Sequence, residues 1–316
     1  MLVTVLIAVY NEHPPFLDMA LRSVLNQSYQ DLEVLLIDDG STNEATIACL
    51  ARVSASDSRI RLIRQENRGL TQSLNRGILE SRGQFICRQD SDDWSDPERI
   101  TKQLRFLVQN PTVGLLGSNA TLHNENGTPL WSTNLPISPD EIRNAFQRSN
   151  PFCHGSVIFH ADWAKELGGY RSEFSCSQDY DFFWRFCEHH DGANLPEPLY
   201  HYRYKHDSIS ARKLDEQMRA THLTRLLAQI RKKKGTDSFE EAVAMLDAEK
   251  PVSRSCESRK GDLVLLSGHT WKAFAIYGKV IAEGPHRADA ITRLLRACLF
   301  RIFPKFGPTL FQRRSR

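Results

Sequence analysis

The 316-residue chain lacks the features that mark several large protein classes. Its seven cysteines, Cys49, Cys87, Cys153, Cys176, Cys187, Cys256 and Cys298, are odd in number and scattered, with no C-x-x-C pair. That argues against a disulfide framework and fits a reducing cytoplasm. Cys176, Cys187, His189 and His190 come nearest to a zinc set, but their spacing matches no standard site. No G-x-G-x-x-G follows the first apolar segment, and no G-x-x-x-x-G-K-[ST] occurs anywhere. The glycine-rich dinucleotide and P-loop cradles are therefore absent, and any bound phosphate must be held by other means. No apolar run reaches about 18 uncharged residues, so no membrane span is expected. The opening Met1 to Tyr10 has no basic stretch, and Asn11 and Glu12 end its apolar run, so no signal peptide is expected. Internal repeats and low-complexity tracts are missing as well.

What remains is an ordinary globular composition, 41% hydrophobic and 25% charged, with an uneven charge distribution. Residues 287–316 carry eight Lys/Arg against one acid, Asp289, a net +7 that leaves −4 of the total +3 for the rest. Ile291, Leu294, Leu295, Cys298, Leu299, Ile302 and Phe303 fall on one helical face, with arginines at its edges. Such a basic amphipathic end suits an anionic membrane surface, or else packs as an ordinary helix on the domain. It is short and too apolar for a nucleic-acid arm.

The pattern along the chain predicts an α/β fold. Leu2 to Tyr10 is a continuous apolar, β-branched run, as in a strand buried on both faces. Pro14 and Pro15 open a helix with Phe16, Leu17, Ala20, Leu21, Val24 and Leu25 on one face. Leu32 to Ile37 is a second strand, and Ser41 with Glu44 reads as a capping box for a second helix. Ile60 to Ile63 is a third strand, Leu70, Leu74 and Ile78 mark a third helix, and Phe85 to Cys87 is a fourth strand. Successive strand–helix units predict a largely parallel sheet. Ser95-Asp96-Pro97-Glu98 reads as a further capping box. Beyond Asn150 the pattern is mixed, with a strand at 157–159 and helices at 161–167 and 177–189. After Arg212 it is helical, at 214–233, 239–249, 260–283 and 287–303. The break at 205–213 is the expected domain boundary.

The most informative segment is Arg88-Gln89-Asp90-Ser91-Asp92-Asp93-Trp94, with three acids in four residues after a buried strand. Ligands bind beyond the carboxyl ends of strands in open α/β sheets. Crowded carboxylates also call for a cation or protons between them. Mg²⁺ or Mn²⁺ takes one or two carboxylates and fills its shell with phosphate oxygens. The plain alternative is a solvated loop before a helix. A receiver domain is excluded, because the third strand ends in Arg64-Gln65-Glu66 with no acceptor aspartate.

Four segments in order, Ala8-Val9-Tyr10-Asn11-Glu12, Asp38-Asp39-Gly40-Ser41-Thr42, Asp90-Ser91-Asp92-Asp93 and Ser177-Gln178-Asp179-Tyr180-Asp181, resemble those of the family 2 glycosyltransferases. The resemblance runs from about Val3 to His206. It implies the GT-A fold, a Rossmann-like, mostly parallel sheet flanked by helices, here with a helical C-terminal appendage. The implied division is 1–212 for the glycosyltransferase domain and 213–316 for a helical region with a basic amphipathic tail. Within the first, 1–110 would be the nucleotide-sugar half and 111–212 the acceptor half. The implied activity is inverting transfer of one sugar from a nucleotide-diphosphate sugar, usually a UDP-sugar, with Mn²⁺ or Mg²⁺ as cofactor. The implied acceptor is a glycan or lipid-linked glycan in cell-surface polysaccharide synthesis, at the cytoplasmic side of the membrane. A non-catalytic nucleotide-sugar-binding module is the competing reading.

The same resemblance assigns roles to individual residues. Tyr10 would stack on the nucleobase, and Asp38, or failing it Asp39, would accept a hydrogen bond from the base. Ala8, Glu12, Asn67 and Ser91 would line the donor site. Asp92 would ligate the metal and Asp90 the ribose or a metal-bound water, with Asp93 less defined and available to cap the next helix. Asp179 would be the catalytic base, with Asp181 as its alternative. Gln178 stands where the family has glutamate. His154, Gly169 and Tyr170 fall in segments that resemble the acceptor side, and His206 in a closing segment that meets the metal or diphosphate. The arginine that many members carry just before the position of Asn75 is Leu74 here, so that contact is not carried over.

Overall fold

The computed structural model describes residues 1–205, 214–248 and 270–283, with the single positions 291 and 294. The chain forms two compact units. One comprises Met1–Thr121 and Thr133–Tyr202, the other Leu122–Ser132 and Arg203–Arg316.

The first unit opens with the expected strand–helix alternation. The elements are β1 (Val3–Val9), α1 (Pro14–Leu25), β2 (Leu32–Asp38), α2 (Glu44–Ser56), β3 (Ile60–Arg64), α3 (Leu70–Glu80) and β4 (Phe85–Arg88). The apolar runs of β1 and β2 are almost wholly buried, because helices cover both faces of the sheet. β1 pairs in parallel with β2 on one side and β4 on the other, and β2 pairs in parallel with β3. The order β3-β2-β1-β4 reverses the sense in which strands are added across the sheet between β1 and β4, with all four parallel. Chain leaving β1 and chain leaving β4 diverge there and open a crevice at their carboxyl ends.

Beyond β4 the sheet is no longer parallel, which qualifies the mostly parallel expectation. The following elements are β5 (Trp94–Ser95), α4 (Arg99–Gln109), β6 (Val113–His123), β7 (Pro129–Ser132), α5 (Pro139–Ala145), a 3₁₀ turn (His154–Ser156), β8 (Ile158–His160), α6 (Ala161–Glu166), α7 (Gln178–His189) and β9 (Asp191–Arg203). The full order is β3-β2-β1-β4-β8-β6-β9-β5, with β7 beside β6. The β4–β8, β6–β8 and β5–β9 pairs are antiparallel.

Two expected helix caps are corrected. Asn43, not Ser41, caps α2, accepting from the Ala45 and Thr46 amides. Ser41 is drawn away because its Oγ accepts the Asn11 amide at 3.0 Å. α4 begins after Glu98 with no side-chain cap, because Ser95 Oγ bonds Gln89 and Arg99. The second unit contains α8 (Leu214–Lys234), α9 (Phe239–Ala248) and α10 (Thr270–Glu283). Arg219–Asp247 and Lys234–Glu241 ion pairs, each 2.7 Å, join α8 to α9. The rest of the expected 260–283 helix and nearly all of the basic tail at 287–316 lie outside the described residues.

Candidate active site

The loops after β1, β2 and β4 meet at the crevice. Asn11, at φ 51°, is the clip between the first two. Its Oδ1 accepts the Thr42 and Asn43 amides at 2.8 Å each, and its own amide donates to Ser41 Oγ. Asparagine tolerates the left-handed region better than most residues, which lets one side chain serve both loops. Glu12 reaches the acidic loop, accepting from Ser91 Oγ at 3.3 Å. Tyr10 stands 52% exposed at the end of β1, an unusual position for so large a ring beside a fully buried strand.

The two acids after β2 have different surroundings. Asp39 takes Gln65 Nε2 at 2.7 Å and the Arg68 amide at 2.9 Å on one oxygen, and the Gly69 amide at 2.8 Å on the other. It organises the loop that carries the exposed Asn67. That loop crosses so close to Gly40, φ +75°, that a Cβ there would lie 2.6 Å from the Asn67 nitrogen. Asp38 is fully buried, and its Oδ1 accepts the Ser41 amide. Its Oδ2 makes no hydrogen bond, although Arg64 Nε lies 2.9 Å away. Arg64, 54% exposed, therefore meets this oxygen as an ion-pair partner from the surface and not through a hydrogen bond among the described residues.

Beneath the acidic loop lies a buried polar network. Arg88, at the end of β4, is 1% exposed and pairs with Asp90 at 2.5 Å. Burial works against its charge, but Asp90, and beyond it Tyr170, Tyr200 and Asp93, outweigh that and hold the guanidinium charged. Arg99 bonds Ser95 Oγ and the Arg88 carbonyl, each at 2.9 Å, and lies over the Tyr200 ring. The Tyr200 hydroxyl donates to Asp93 at 2.8 Å and accepts the Asp90 amide at 3.1 Å. Burial, with Asp93 and Asp90 next, pushes the Tyr200 pKa far up, so it remains a neutral donor. The buried Asp93 is therefore tied to Tyr200. Asp90, Ser91 and Asp92 are half-buried. Burial, Asp93 and Asp90 also raise the Cys153 thiol to about 12, so it carries no thiolate.

The other wall comes from α7 and the 150–156 segment. Asp179 lies in the first turn of α7, half-buried, and accepts from Asn150 Nδ2 at 2.7 Å. Asp181, on the same turn, is fully buried and bonded to Arg171 at 3.1 Å and Arg185 at 2.8 Å. Its two oxygens are spent on these two arginines. His154 Nε2 meets the Tyr170 hydroxyl at 3.1 Å. Burial, helped by Arg88 and opposed by Asp179, lowers the His154 pKa to about 4, so the ring is neutral near pH 7. Tyr170 is 2% exposed and feels Arg88, Asp179 and Asp90 together. It lies under the site, and Asn75 grips its backbone N–H and C=O at 2.8 and 2.7 Å. Gly169, φ +68°, leaves room for Asn75 Oδ1, which a Cβ would meet at 2.5 Å.

The structure thus draws Arg88, Asp90, His154, Tyr170 and Asp179 into one electrostatic neighbourhood although they span 92 positions of sequence. His206 lies outside the described residues. Among the described residues no three His, Cys, Asp or Glu side chains could hold a metal by themselves. Asp90 and Asp92 still offer hard carboxylate oxygens, and a divalent ion that takes only one or two of these draws the remainder from substrate phosphate. The donor chemistry fits such an ion.

A family model described as glycosyl transferase family 2 matches residues 4–168, more than half of the chain. The chain belongs to that family. This glycosyltransferase is 30% identical over 212 residues to the amylovoran biosynthesis glycosyltransferase AmsE of Erwinia amylovora, covering 66% of this chain and 79% of that one. It is also 30% identical to the O-antigen biosynthesis glycosyltransferase WbnJ of Escherichia coli, over 66% of this chain and 81% of the relative. Its fold is similar to that of the mannosyltransferase PcManGT from Pyrobaculum calidifontis, solved with GDP-Man and Mn²⁺. The TM-score is 0.57 at 17% identity, over 98% of this chain and 84% of the other. S. aureus TarS 1–349 in complex with UDP gives a TM-score of 0.57 at 14% identity, over 98% and 86%. The GT-A architecture is the common element.

Three contributors in this glycosyltransferase were not read from its sequence. Arg88 could have been noticed as a charge closing a buried strand just before the acids. Tyr200 and Arg99 gave no signal, because their partners are set by the antiparallel β5–β9 pairing.

Proposed function

We propose that this glycosyltransferase moves one sugar, with inversion, from a nucleotide-diphosphate sugar, UDP-sugars being favoured, to a hydroxyl of a glycan or lipid-linked glycan. The observation that carries this reading is the meeting of the acidic loop with the first turn of α7 around Arg88 and Tyr170. A donor laid along the ends of β1, β2 and β4 has its base over Tyr10, with the buried Asp38 Oδ2 as acceptor for a base N–H. Ala8, Glu12, Asn67 and Ser91 border the same path. Asp39 holds the loop that closes over it. Arg88 and Tyr200 fix Asp90, which meets the ribose or a metal-bound water, while Asp92 is the principal metal carboxylate. A bound Mn²⁺ or Mg²⁺ would supply Lewis-acid stabilisation of the diphosphate leaving group. From the opposite wall Asp179 takes the acceptor hydroxyl's proton during in-line attack. Neutral His154 offers a ring nitrogen for acceptor hydrogen bonding. Its Tyr170 partner and Gly169 shape that wall from beneath.

Relatives named for amylovoran and O-antigen biosynthesis support an acceptor in cell-surface polysaccharide assembly. No helix among the described residues is long and apolar enough to cross a membrane. Contact with the inner membrane surface is assigned here to residues 287–316 through their charge. The test is UDP release from a panel of UDP-sugars with Mn²⁺ or Mg²⁺ and then EDTA, for wild type, Asp92→Ala and Asp179→Asn. Metal-dependent release lost in both variants supports the reading. Release that survives EDTA, or that survives Asp179→Asn, overturns its metal or its base. UDP binding without turnover, even with lipid-extract acceptors, favours the non-catalytic module.

A further inference from the structure

We infer that Asn150 is a positioning residue that sets the orientation of the base, an inference that rests on Asp179 being that base. Two hydrogen bonds fix the Asn150 amide. Its Oδ1 accepts the Phe152 backbone N–H at 3.1 Å, forming an Asx turn, and its Nδ2 donates to Asp179 Oδ2 at 2.7 Å. The flipped amide would set its oxygen against the carboxylate and its NH₂ against a backbone N–H, two repulsive contacts in place of two bonds. The direction of donation is therefore dictated by the backbone.

The segment holding Asn150 is itself anchored. Asn194 Nδ2 donates to the Pro151 carbonyl at 3.0 Å, and Phe152 is buried against Phe146 and Phe183. The donor therefore sits at the end of a short, braced turn, and the carboxylate it meets is in the first turn of α7. Among the described residues only Oδ2 of Asp179 is engaged in this way, with Asn150 as its hydrogen-bond partner. Oδ1 is left to receive a proton while Oδ2 is pinned. The same bond therefore aims the base. The titratable groups that feel Asp179 are His154 and Tyr170; Arg88 acts on both of these and Asp90 on Tyr170, and Asp181 lies on the same helix as Asp179. Of these, His154 is neutral near pH 7, and Arg171 and Arg185 neutralise Asp181.

The experiment is a measurement of kcat and of the donor KM for UDP release, with water as acceptor, from the best UDP-sugar of the panel. It compares wild type, Asn150→Ala, Asn150→Ser and Asn150→Asp, with Asp179→Asn alongside. UDP affinity and thermal unfolding report whether each variant is folded. Loss of the donor frees the carboxylate to turn, so kcat falls about tenfold in Asn150→Ala with the donor KM unchanged, and further in Asn150→Asp, which puts a like charge beside Asp179. Asn150→Ser retains a short donor and falls between wild type and alanine. UDP affinity stays within about twofold, since the donor path lies on the other wall. A purely structural role predicts that rate, UDP affinity and thermal stability fall together and that Asn150→Ser rescues none of them, and that result overturns the inference. Retained turnover in Asp179→Asn instead overturns the assignment of the base, which separates the two failures.

Discussion

The two walls of the crevice are built differently and yet divide their acids in the same way. The donor wall stands on parallel strands, where Asp39 collects three N–H donors and Asp38 keeps a buried oxygen without a hydrogen bond. The opposite wall stands on a helix packed against antiparallel strands, where Asp181 collects two arginines and Asp179 a single amide. In each pair one carboxylate is spent on architecture and its neighbour is left with capacity. Adjacent acids in a sequence are thus not interchangeable candidates for chemistry. The one whose bonds are saturated builds the platform, and burial alone does not separate them, since Asp38 and Asp181 are both fully buried.

The largest effects should come from swapping the two acids of α7. Asp179→Asn is expected to lower turnover about 10²- to 10⁴-fold, the usual worth of a general base, with thermal stability little changed. Asp181→Asn should do the reverse. It takes the counter-charge from Arg185, whose side chain is 8% exposed, and breaking a buried pair from one side costs about 3–5 kcal/mol. Turnover per folded molecule should survive. Paired urea titrations and UDP-release rates decide this, and a catalytically dead but stable Asp181→Asn would erase the distinction.

His154 sharpens the comparison through pH. Its folded pKa is about 4 against an ordinary 6.5. The unfolded chain therefore takes up a proton that the folded chain refuses between those values. Stability contributed by the neutral ring is full above about pH 6.5 and declines as pH falls toward 4. Set against His154→Gln, which cannot titrate, wild type should lose up to about 3 kcal/mol between pH 7 and pH 4. Urea unfolding of both proteins at half-unit intervals checks it. Parallel curves would mean the ring is protonated in the fold.

On the donor wall, Asp39→Ala removes the acceptor for two backbone amides and a glutamine. It should cost about 2 kcal/mol, with weaker UDP binding following from the loosened 65–69 loop. Asp38→Asn should leave the loop standing and weaken UDP about tenfold, the worth of one buried hydrogen bond to a charged group. Calorimetric UDP binding beside melting curves separates the two. Equal losses of affinity and stability in both variants would show that the two acids act as one structural unit.

The sequence exposed this division only in part, and the reasons are physical. β1 and β2 were legible because strands buried on both faces carry unbroken apolar runs. β6 was not, since it contains Gly114, Gly117, Ser118 and Asn119. The glycines are there to admit Trp163 and Asn194, which an added Cβ would meet at 2.5 and 2.1 Å. β9 was hidden by Pro196 and Pro198, both exposed. Ser41 and Ser95 read as caps because a local pattern cannot show that Asn11 or Gln89 will claim their hydroxyls. Asp90, Asp92 and Asp179 could be named from their motifs. Which acid of each pair stays unsaturated depends on Gln65, Arg171 and Arg185, whose approach only the packed chain determines.

Tyr10 offers the smallest and cleanest test of the donor wall. The ring is 52% exposed, so its removal should barely touch stability. Stacking of a base on an aromatic face is worth about 1–3 kcal/mol by alanine substitution. Tyr10→Ala should therefore weaken UDP about tenfold while Tyr10→Phe, which keeps the flat face, stays near wild type. The rate from saturated donor should be the same in all three, because nothing in this contact changes as the glycosidic bond breaks. If Tyr10→Phe were as weak as Tyr10→Ala, the hydroxyl and not the face would be the recognising group. If neither weakened UDP, the base would lie elsewhere, and the donor wall would lose its assignment while the α7 wall kept its own.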